Sequence, residues 1–466
     1  RFRYIRRMAE LLERLARIVG DKNVITDPAR LDEISWDALS ESRIHPARKP
    51  ATALPLCVAA ADSTAEVRDI VIAANETRTP LIPYGGGSGL MGGALTIKPG
   101  IVLDLRRMNR VAAIDAEAMS ARVGAGAVLE SVDQKLNEQG LILGHDPWTL
   151  PVATIGGAIS TNSVGYRAGK YGSMGEQVLG LEVVLANGEI LRTRAVPKSS
   201  AGIDLNALFI GGEGCFGVVT EAAIRVFVRP EKSVIRAYGF ASFQKGYGAI
   251  QEIFRRGVEP AVIDFGDNEE KFDGALLYLA FEGAKEIVAA EEKIALSICD
   301  AAGGHHLPDA QAEEFWAERH SIARRFAENR RARRERGRDG VYRDWIHVAL
   351  PASQVLPFRE AALEIVKRRG VDAIESGLWI RPELFSMPLR IDGGGKKDAQ
   401  LILEDTVEEL LRLVHKLGGS MEYTHGVGVK LAALMAEEHG YGLEVMRGIK
   451  KLLDPNNIMN PGKMGL

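Results

Sequence analysis

Cysteine is scarce in this chain: three in 466 residues, at Cys57, Cys215 and Cys299, with no C-x-x-C pair among them. That spacing excludes a disulfide framework and a cysteine metal site, and it fits a reducing compartment. Long apolar runs are missing too; none reaches the roughly eighteen residues needed to cross a bilayer. There is no excess of positive charge, since 59 Lys and Arg stand against 62 Asp and Glu for a net −3. A dedicated nucleic-acid binder needs a basic footprint, so none is expected here. The 19 prolines and 50 glycines are dispersed and form no low-complexity tract. The opening stretch RFRYIRRMAELLERLARIVG has neither an initiator Met nor the apolar region of a secretory signal. The expectation is a cytoplasmic protein whose native first residue lies elsewhere.

What is present is material for a large core: 46% hydrophobic and 26% charged residues, in a chain long enough for two or three domains. Residues 3–19 place Ile5, Met8, Leu11, Leu12, Leu15, Ile18 and Val19 at helical spacing among arginines. A membrane-surface helix has that pattern, and so does an ordinary packed helix, which Glu10 and Glu13 favour. Peripheral contact with the inner membrane therefore stays open. From 51 to 230 short β-rich runs alternate with helical ones. ATALPLCVAA reads as a strand, STAEVRDIVIAANETR as a helix with a Ser/Thr cap, then LIPYG and IVLDL as strands. VLGLEVVLANGEILRTR reads as a hairpin turning at Asn187-Gly188. Residues 235–415 hold longer helices between strands such as AVIDF, ALLYLAF and WIHVAL, which reads as a separate α+β domain.

Glycine is the conspicuous residue. PYGGGSGLMGG (83–93) packs six glycines into eleven residues directly after an apolar run. Such density suits backbone that must bend or approach a ligand closely, and successive bare amides can cradle a phosphate. Gly87 to Gly92 also matches the dinucleotide fingerprint G-x-G-x-x-G, which requires a strand before and a helix after. The strand is there. The following GALTIKPG cannot be helical, so the Rossmann reading fails and a strand–loop–strand cradle remains. Two further small-residue segments, LPVATIGGAISTNSVGYRAGKYGSMGEQVLG (150–180) and ALFIGGEGCFGVVTEAAIRV (207–226), suggest an extended cofactor threaded among loops.

These three segments, with the C-terminal THGVG and DPNNIMNPGK, resemble the FAD-linked oxidase family of the vanillyl-alcohol oxidase and p-cresol methylhydroxylase type. Within it they are most similar to the glycolate oxidase and D-lactate dehydrogenase branch. The resemblance implies an α+β fold: a two-subdomain FAD-binding domain of the p-cresol methylhydroxylase type plus an α+β cap with an antiparallel sheet. Its expected boundaries are a helical segment 1–50, an FAD-binding domain 51–232, a substrate or cap domain 233–414, and a segment 415–466 returning to the FAD site. It implies that Pro83, Tyr84, Gly85, Gly86, Gly87, Ser88, Gly89 and Leu90 wrap the FAD pyrophosphate. Pro151, Thr154, Ile155, Gly156, Gly157, Ser160, Thr161, Asn162, Gly165, Tyr171 and Gly172 would follow the ribityl chain and ring. Glu213, Gly214, Gly217, Val218 and Val219 would hold the adenine side, with Asn460 in the C-terminal motif. Cys215-Phe216 replaces the family's usual Thr-Leu. No histidine lies within 83–93, so non-covalent FAD is expected.

His425 falls where the family has its active-site histidine, a natural base for a hydroxyl whose carbon gives up hydride. Thr424 stands where the 2-hydroxy-acid branch usually has Glu, and Tyr423 is either a proton relay or a packing group. The metal-dependent dehydrogenases of the family carry G-H-x-G-D-G-N-x-H; the corresponding AIESGLWIRPELFSMPLRI has no histidine, and no metal is expected. Arg319 and Arg381 are then candidates for gripping an acidic substrate, though each reads more readily as a solvated or structural arginine. Trp379, Phe385 and Met387 would make a roomy apolar pocket. The arginine-dense run at 319–339 reads as a solvated helix and loop, or as a surface for an acidic partner.

The expected function is oxidation of a hydroxylated carbon by FAD, that of a 2-hydroxy acid with a bulky or aromatic side chain. Its alternatives are phenol oxidation, alkylglycerone-phosphate-synthase-like exchange, or an inactive flavin-binding protein. The expected partner is a small-molecule substrate, with oxygen, a quinone or a protein as electron acceptor, and a homodimer is left open.

Overall fold

The computed structural model describes residues 2–50, 52–267, 272–328, 340–394 and 398–466. Three sheets carry the architecture, which is α+β. In the first, strands Cys57–Ala60, Ile101–Asp104 and Leu81–Tyr84 lie side by side and parallel, with Val24–Ile25 antiparallel at one edge. These runs are almost wholly apolar because both faces are covered. Helix Thr64–Thr77 makes the crossover; the Ser63 side chain caps it by accepting from the Glu66 amide at 3.2 Å, and Arg78 ends it at φ +50°. Helix Phe2–Val19 buries Leu11, Leu15 and Val19 in the same core. Its apolar stripe is thus used within the chain.

The chain then runs from Tyr84 to Ile101 with no helix between two neighbouring parallel strands, as the strand–loop–strand reading required. The second sheet is antiparallel, ordered Val111–Asp115, Ser120–Gly124, Val218–Arg225, Val178–Val184 and Ile190–Arg192. The hairpin at Asn187-Gly188 forms, with Gly188 at φ +84°. Within the second glycine-rich segment, where loops were expected, the structure has a helix, Ile155–Thr161. Thr154 caps it and Asn162 closes it at φ +47°. Its glycines disguise it: a Cβ on Gly156 would stand 2.8 Å from that of Ala125, so tertiary packing outweighs poor helix propensity.

The third sheet is antiparallel, ordered His305–His306, Lys232–Phe240, Ala275–Gly283, Val262–Gly266, Gly377–Trp379, Leu384–Asp392 and Val341–Ala349, with Asp372–Ala373 on Leu384–Asp392. Helices Phe243–Arg255, Lys285–Ala301 and Ala399–Lys416 pack against it, and Val355–Arg369 packs on the last of these. The arginine-dense run begins just after helix Asp309–Glu318 and continues through helix Ser321–Glu328; residues 329–339 lie outside the described residues. The tail returns to the first sheet, where the Leu81 amide donates to the Ile458 carbonyl and the Asn460 amide donates to the Leu81 carbonyl. Buried Lys450 fixes that return, donating to the carbonyls of Cys215 (2.8 Å) and Met459 (2.6 Å) and to Asp454.

Candidate active site

A cavity of about 720 Å³ opens where the three glycine-rich segments face the third sheet. Pro83, Tyr84, Gly85, Gly86, Gly87, Ser88, Gly89 and Leu90 all line it, as do Thr154, Gly156, Gly157, Ser160, Thr161, Glu213, Gly214, Gly217, Val218 and Val219. The glycines set the wall's shape: a Cβ on Gly86 would meet the Val152 carbonyl oxygen at 2.1 Å, and one on Gly85 the Thr154 hydroxyl at 2.3 Å. Among the described residues the amides of Gly87, Ser88 and Gly89 donate to no protein acceptor. Backbone donors are seldom left unmatched, and here they face a cavity also lined by the hydroxyl-bearing Ser160, Thr161 and Ser163. A dinucleotide with a diphosphate fits that donor set.

Other residues of the expected cofactor set hold the wall from behind. Ile155 is core, and the Asn162 side chain accepts from the Gly175 amide at 2.9 Å. Gly165 lies so close to Asp146 that a Cβ would be 2.6 Å from its carbonyl carbon. The Tyr171 hydroxyl donates to Glu282 at 3.1 Å, and Gly172 supplies a turn at φ +76°. Pro151 sits in the turn before the capping Thr154. Asn460 donates to the carbonyls of Gly93 (2.8 Å) and Glu213 (2.6 Å), tying the tail to two of the loops. Glu213 accepts from the amides of Val427 and Gly428, so it anchors the segment that carries His425. Burial pushes Glu213 up to about 7 and the lining Asp37 up to about 6, against the pull of the amides they accept from.

At the other end the lining comes from the third sheet. Trp345 and His347 share one face of strand Val341–Ala349, and their register partners Pro388 and Ser386 share that face of Leu384–Asp392. Side chains alternate along a strand, so Phe385 and Met387 point the other way. They are core, not pocket wall; of the three apolar residues expected there only Trp379 lines the cavity. Arg381, in the turn between Gly377–Trp379 and Leu384–Asp392, is half exposed, pairs with Glu383 at 3.7 Å and does not line the cavity. Arg319 does. Its guanidinium lies 3.8 Å over Trp316 and donates to Asp146 at 3.0 Å, and Asp146 is also held by His320 at 2.7 Å.

His425 lines the cavity beside Thr424. Glu422 shapes this turn: its Oε1 accepts from the amides of Thr424 (2.8 Å) and His425 (2.9 Å) and lies 3.4 Å from His425 Nδ1. The carboxylate expected beside the histidine in this branch is therefore supplied from three positions earlier. The Tyr423 hydroxyl is buried with no partner among the described residues. Its ring packs 5.7 Å from that of His347. Sequence reasoning passed over His347, whose ring stands 4.7 Å from that of His425 at 87°. The available signal was the alternation in Trp-Ile-His-Val, where Ile346 and Val348 take the core side and leave Trp and His a face of their own.

Behind Trp345 lies a buried charge cluster that sequence reasoning also missed. Arg43 stacks 3.5 Å over the Trp345 ring, donates to Asp344 at 2.6 Å and to the Leu90 carbonyl at 3.1 Å. Lys430 donates to Asp344, and to Glu404 at 3.1 Å. Burial would raise Asp344, but Arg43 and Lys430 overcome it and hold the carboxyl at about 2. Glu404, buried and beside Asp344, is raised instead.

The comparisons with known proteins agree with this geometry. The FAD binding domain family matches residues 55–194, and the FAD linked oxidases C-terminal domain family matches 229–464. The glycolate oxidase subunit GlcD of Bacillus subtilis is 29% identical over 98% of this chain and 96% of its own length. A D-lactate dehydrogenase of Archaeoglobus fulgidus is 30% identical over 92% and 95%. Among solved structures, p-cresol methylhydroxylase superposes with a TM-score of 0.79 at 18% identity, covering 99% of this chain and 97% of that one. An alkyldihydroxyacetonephosphate synthase does so at 0.77 and 20%, covering 97% and 84%. No helix among the described residues is long and apolar enough to cross a membrane. The chain belongs to the FAD-linked oxidases and is an FAD-dependent oxidoreductase with the p-cresol methylhydroxylase type of fold.

Proposed function

We propose that this oxidoreductase dehydrogenates a 2-hydroxy acid with a bulky or aromatic side chain, with His425 as the base that takes the hydroxyl proton. The observation that carries the reading is His425 on the cavity wall with Glu422 behind its Nδ1 at 3.4 Å. A carboxylate this close to one ring nitrogen, though not hydrogen-bonded to it, favours the proton on that side and leaves the other nitrogen to accept one. Bound FAD supplies the oxidant, accepting the hydrogen of the carbinol carbon as hydride. Trp148, Tyr166, Tyr278, Phe315, Trp345 and Trp379 give the substrate end of the cavity an aromatic lining, which suits a side chain larger than a methyl group and excludes water around the reacting carbon. Arg319 supports an acidic substrate, because it is a cavity-lining cation held in place by its Nε donating to Asp146 and its Nη1 donating to the Trp316 carbonyl.

We further propose that FAD is held without a covalent bond, through the amides and hydroxyls of the three loops. An anaerobic absorbance titration against D- and L-2-hydroxy acids and para-substituted phenols tests the reading. Bleaching of the flavin band by a 2-hydroxy acid with an aryl or branched side chain is the expected result. Bleaching by phenols alone, or by no member of the panel, would refute the substrate class. Flavin that stays with the protein after acid precipitation would refute non-covalent binding.

A further inference from the structure

We infer that His347 is a second catalytic residue: a neutral imidazole whose Nε2–H holds the substrate oxygen while His425 removes its proton. This rests on the hydroxyl-oxidation reading above. The argument begins with the nitrogens turned away from the cavity. His347 Nδ1 is buried and has no partner among the described residues. A buried N–H without an acceptor is costlier and rarer than a lone pair without a donor, so Nδ1 is the bare nitrogen and the proton sits on Nε2. For His425 the order reverses. Its Nδ1 also closes no hydrogen bond among the described residues, but a carboxylate, that of Glu422, stands 3.4 Å from it, and that negative charge favours the proton on Nδ1 and leaves Nε2 bare. Both rings line the cavity with Nδ1 buried away from it, so their opposite edges present one donor and one acceptor.

With ring centroids 4.7 Å apart and planes at 87°, the pair offers both halves of what a hydroxyl needs. The oxygen accepts from His347 and its hydrogen is directed at His425. In the reaction the O–H bond would break with its proton passing to His425 Nε2, and the carbinol C–H bond would break with its electron pair leaving as hydride, for which bound FAD would supply the acceptor. The oxygen's freed electron pair becomes the second bond of the product carbonyl. Negative charge grows on that oxygen in between, and a fixed donor aimed at it lowers the barrier. The donor has to stay neutral to spare His425 a neighbouring cation. Burial first, then His425 and Arg43, hold His347 well below the ordinary imidazole range, opposed only by Asp344. Glu422, bridged to His347 through the backbone, and Tyr423 are the other ionisable groups against it.

The test has an arm that does not need turnover. In the FAD-loaded protein with isotope-labelled histidine, NMR should find His347 as the Nε2–H tautomer with no titration between about pH 6 and 8. A Nδ1–H tautomer, or protonation in that range, would overturn the assignment. In the second arm, His347→Leu should lower kcat by about 10²–10³-fold with KM moved far less. His347→Gln, whose amide N–H can take the place of Nε2–H, should recover most of that loss. A His347→Leu enzyme within about threefold of wild type would sink the proposal. If no 2-hydroxy acid reduces the wild-type flavin, the substrate reading falls by itself, and the NMR arm still decides whether His347 presents a neutral donor.

Discussion

Replacing Asp344 by Asn deletes one negative charge from a cluster in which Arg43 and Lys430 are 2% and 3% exposed and Asp344 is fully buried. The carboxyl sits at about 2 against an ordinary 3.8, a gap equivalent to about 2 kcal/mol at neutral pH. The sign is that of a depressed acid: this stability is complete above the ordinary value and is lost as pH falls toward 2. Leaving two buried cations with one weak counter-ion adds to the cost, and broken buried pairs run to about 3–5 kcal/mol. The expected loss is therefore about 2–5 kcal/mol. Glu404 should soften it, because its carboxyl is raised first by burial and then by Asp344, and removing Asp344 removes the second of these. Glu404→Gln alone should cost under about 1 kcal/mol, and the double variant should lose more than the sum of the singles. Urea unfolding of the FAD-saturated enzyme, followed by tryptophan and flavin fluorescence, reads this out; at about 3 kcal/mol per molar the midpoint drops by roughly 1 M. Flavin should leave first, since Arg43 connects the cluster to the Leu90 carbonyl of the glycine loop. An Asp344→Asn midpoint equal to wild type, or a Glu404→Gln loss as large as that of Asp344→Asn, would refute the reasoning.

Three further expectations concern the site and its frame. His425→Gln should keep FAD bound but slow its anaerobic reduction by about 10²–10⁴-fold, the usual worth of a positioned base; unchanged reduction would remove His425 from the chemistry. Gly428→Ala places a Cβ 1.9 Å from the Met91 carbonyl oxygen at φ +53°, so it should yield protein with weakened FAD retention and a lower Tm, and a flavin-replete, equally stable variant would contradict the packing. Asp37 is raised from 3.8 to about 6 by burial. Its unfolded form gives up the proton first, so it draws stability down as pH rises from about 4 to 6. Asp37→Asn should flatten that part of the stability profile, and an unaltered slope there would show that the wild-type carboxyl is not raised.

The first sheet and the glycine loop were legible because their signals are local. Apolar runs doubly covered in a parallel sheet look the same in any context, and six glycines with a proline cannot hide a helix. Helix Ile155–Thr161 was not legible, since its formation depends on Ala125 approaching Gly156 and on a cap from Thr154. The histidine of THGVG stood out only through the resemblance, whereas His347 had no motif to mark it. In a strand, alternation gives two faces but not which of them borders a cavity. Phe385 and Met387 failed as pocket candidates for that reason, one residue out of phase with Ser386 and Pro388. Arg319 and Arg381 were indistinguishable as text; what separates them is Asp146, 173 positions away from Arg319 in sequence.

The pairing of Leu81 with Met459 bears on how the protein is made. The loops at 83–93, 150–180 and 207–226 leave the ribosome long before the segment that locks them, which carries Glu213's partners Val427 and Gly428 and the bridging Asn460. Roughly 230 residues separate the end of the third loop from that bridge, or about 10–50 s of synthesis at ordinary rates. For that interval the nucleotide-binding half is an unfinished nascent chain, with the Leu81 edge of its parallel sheet uncovered. Contacts this remote in sequence also slow folding after release. Flavin capture should therefore be a post-translational event, and chaperone demand should fall on the amino-terminal half.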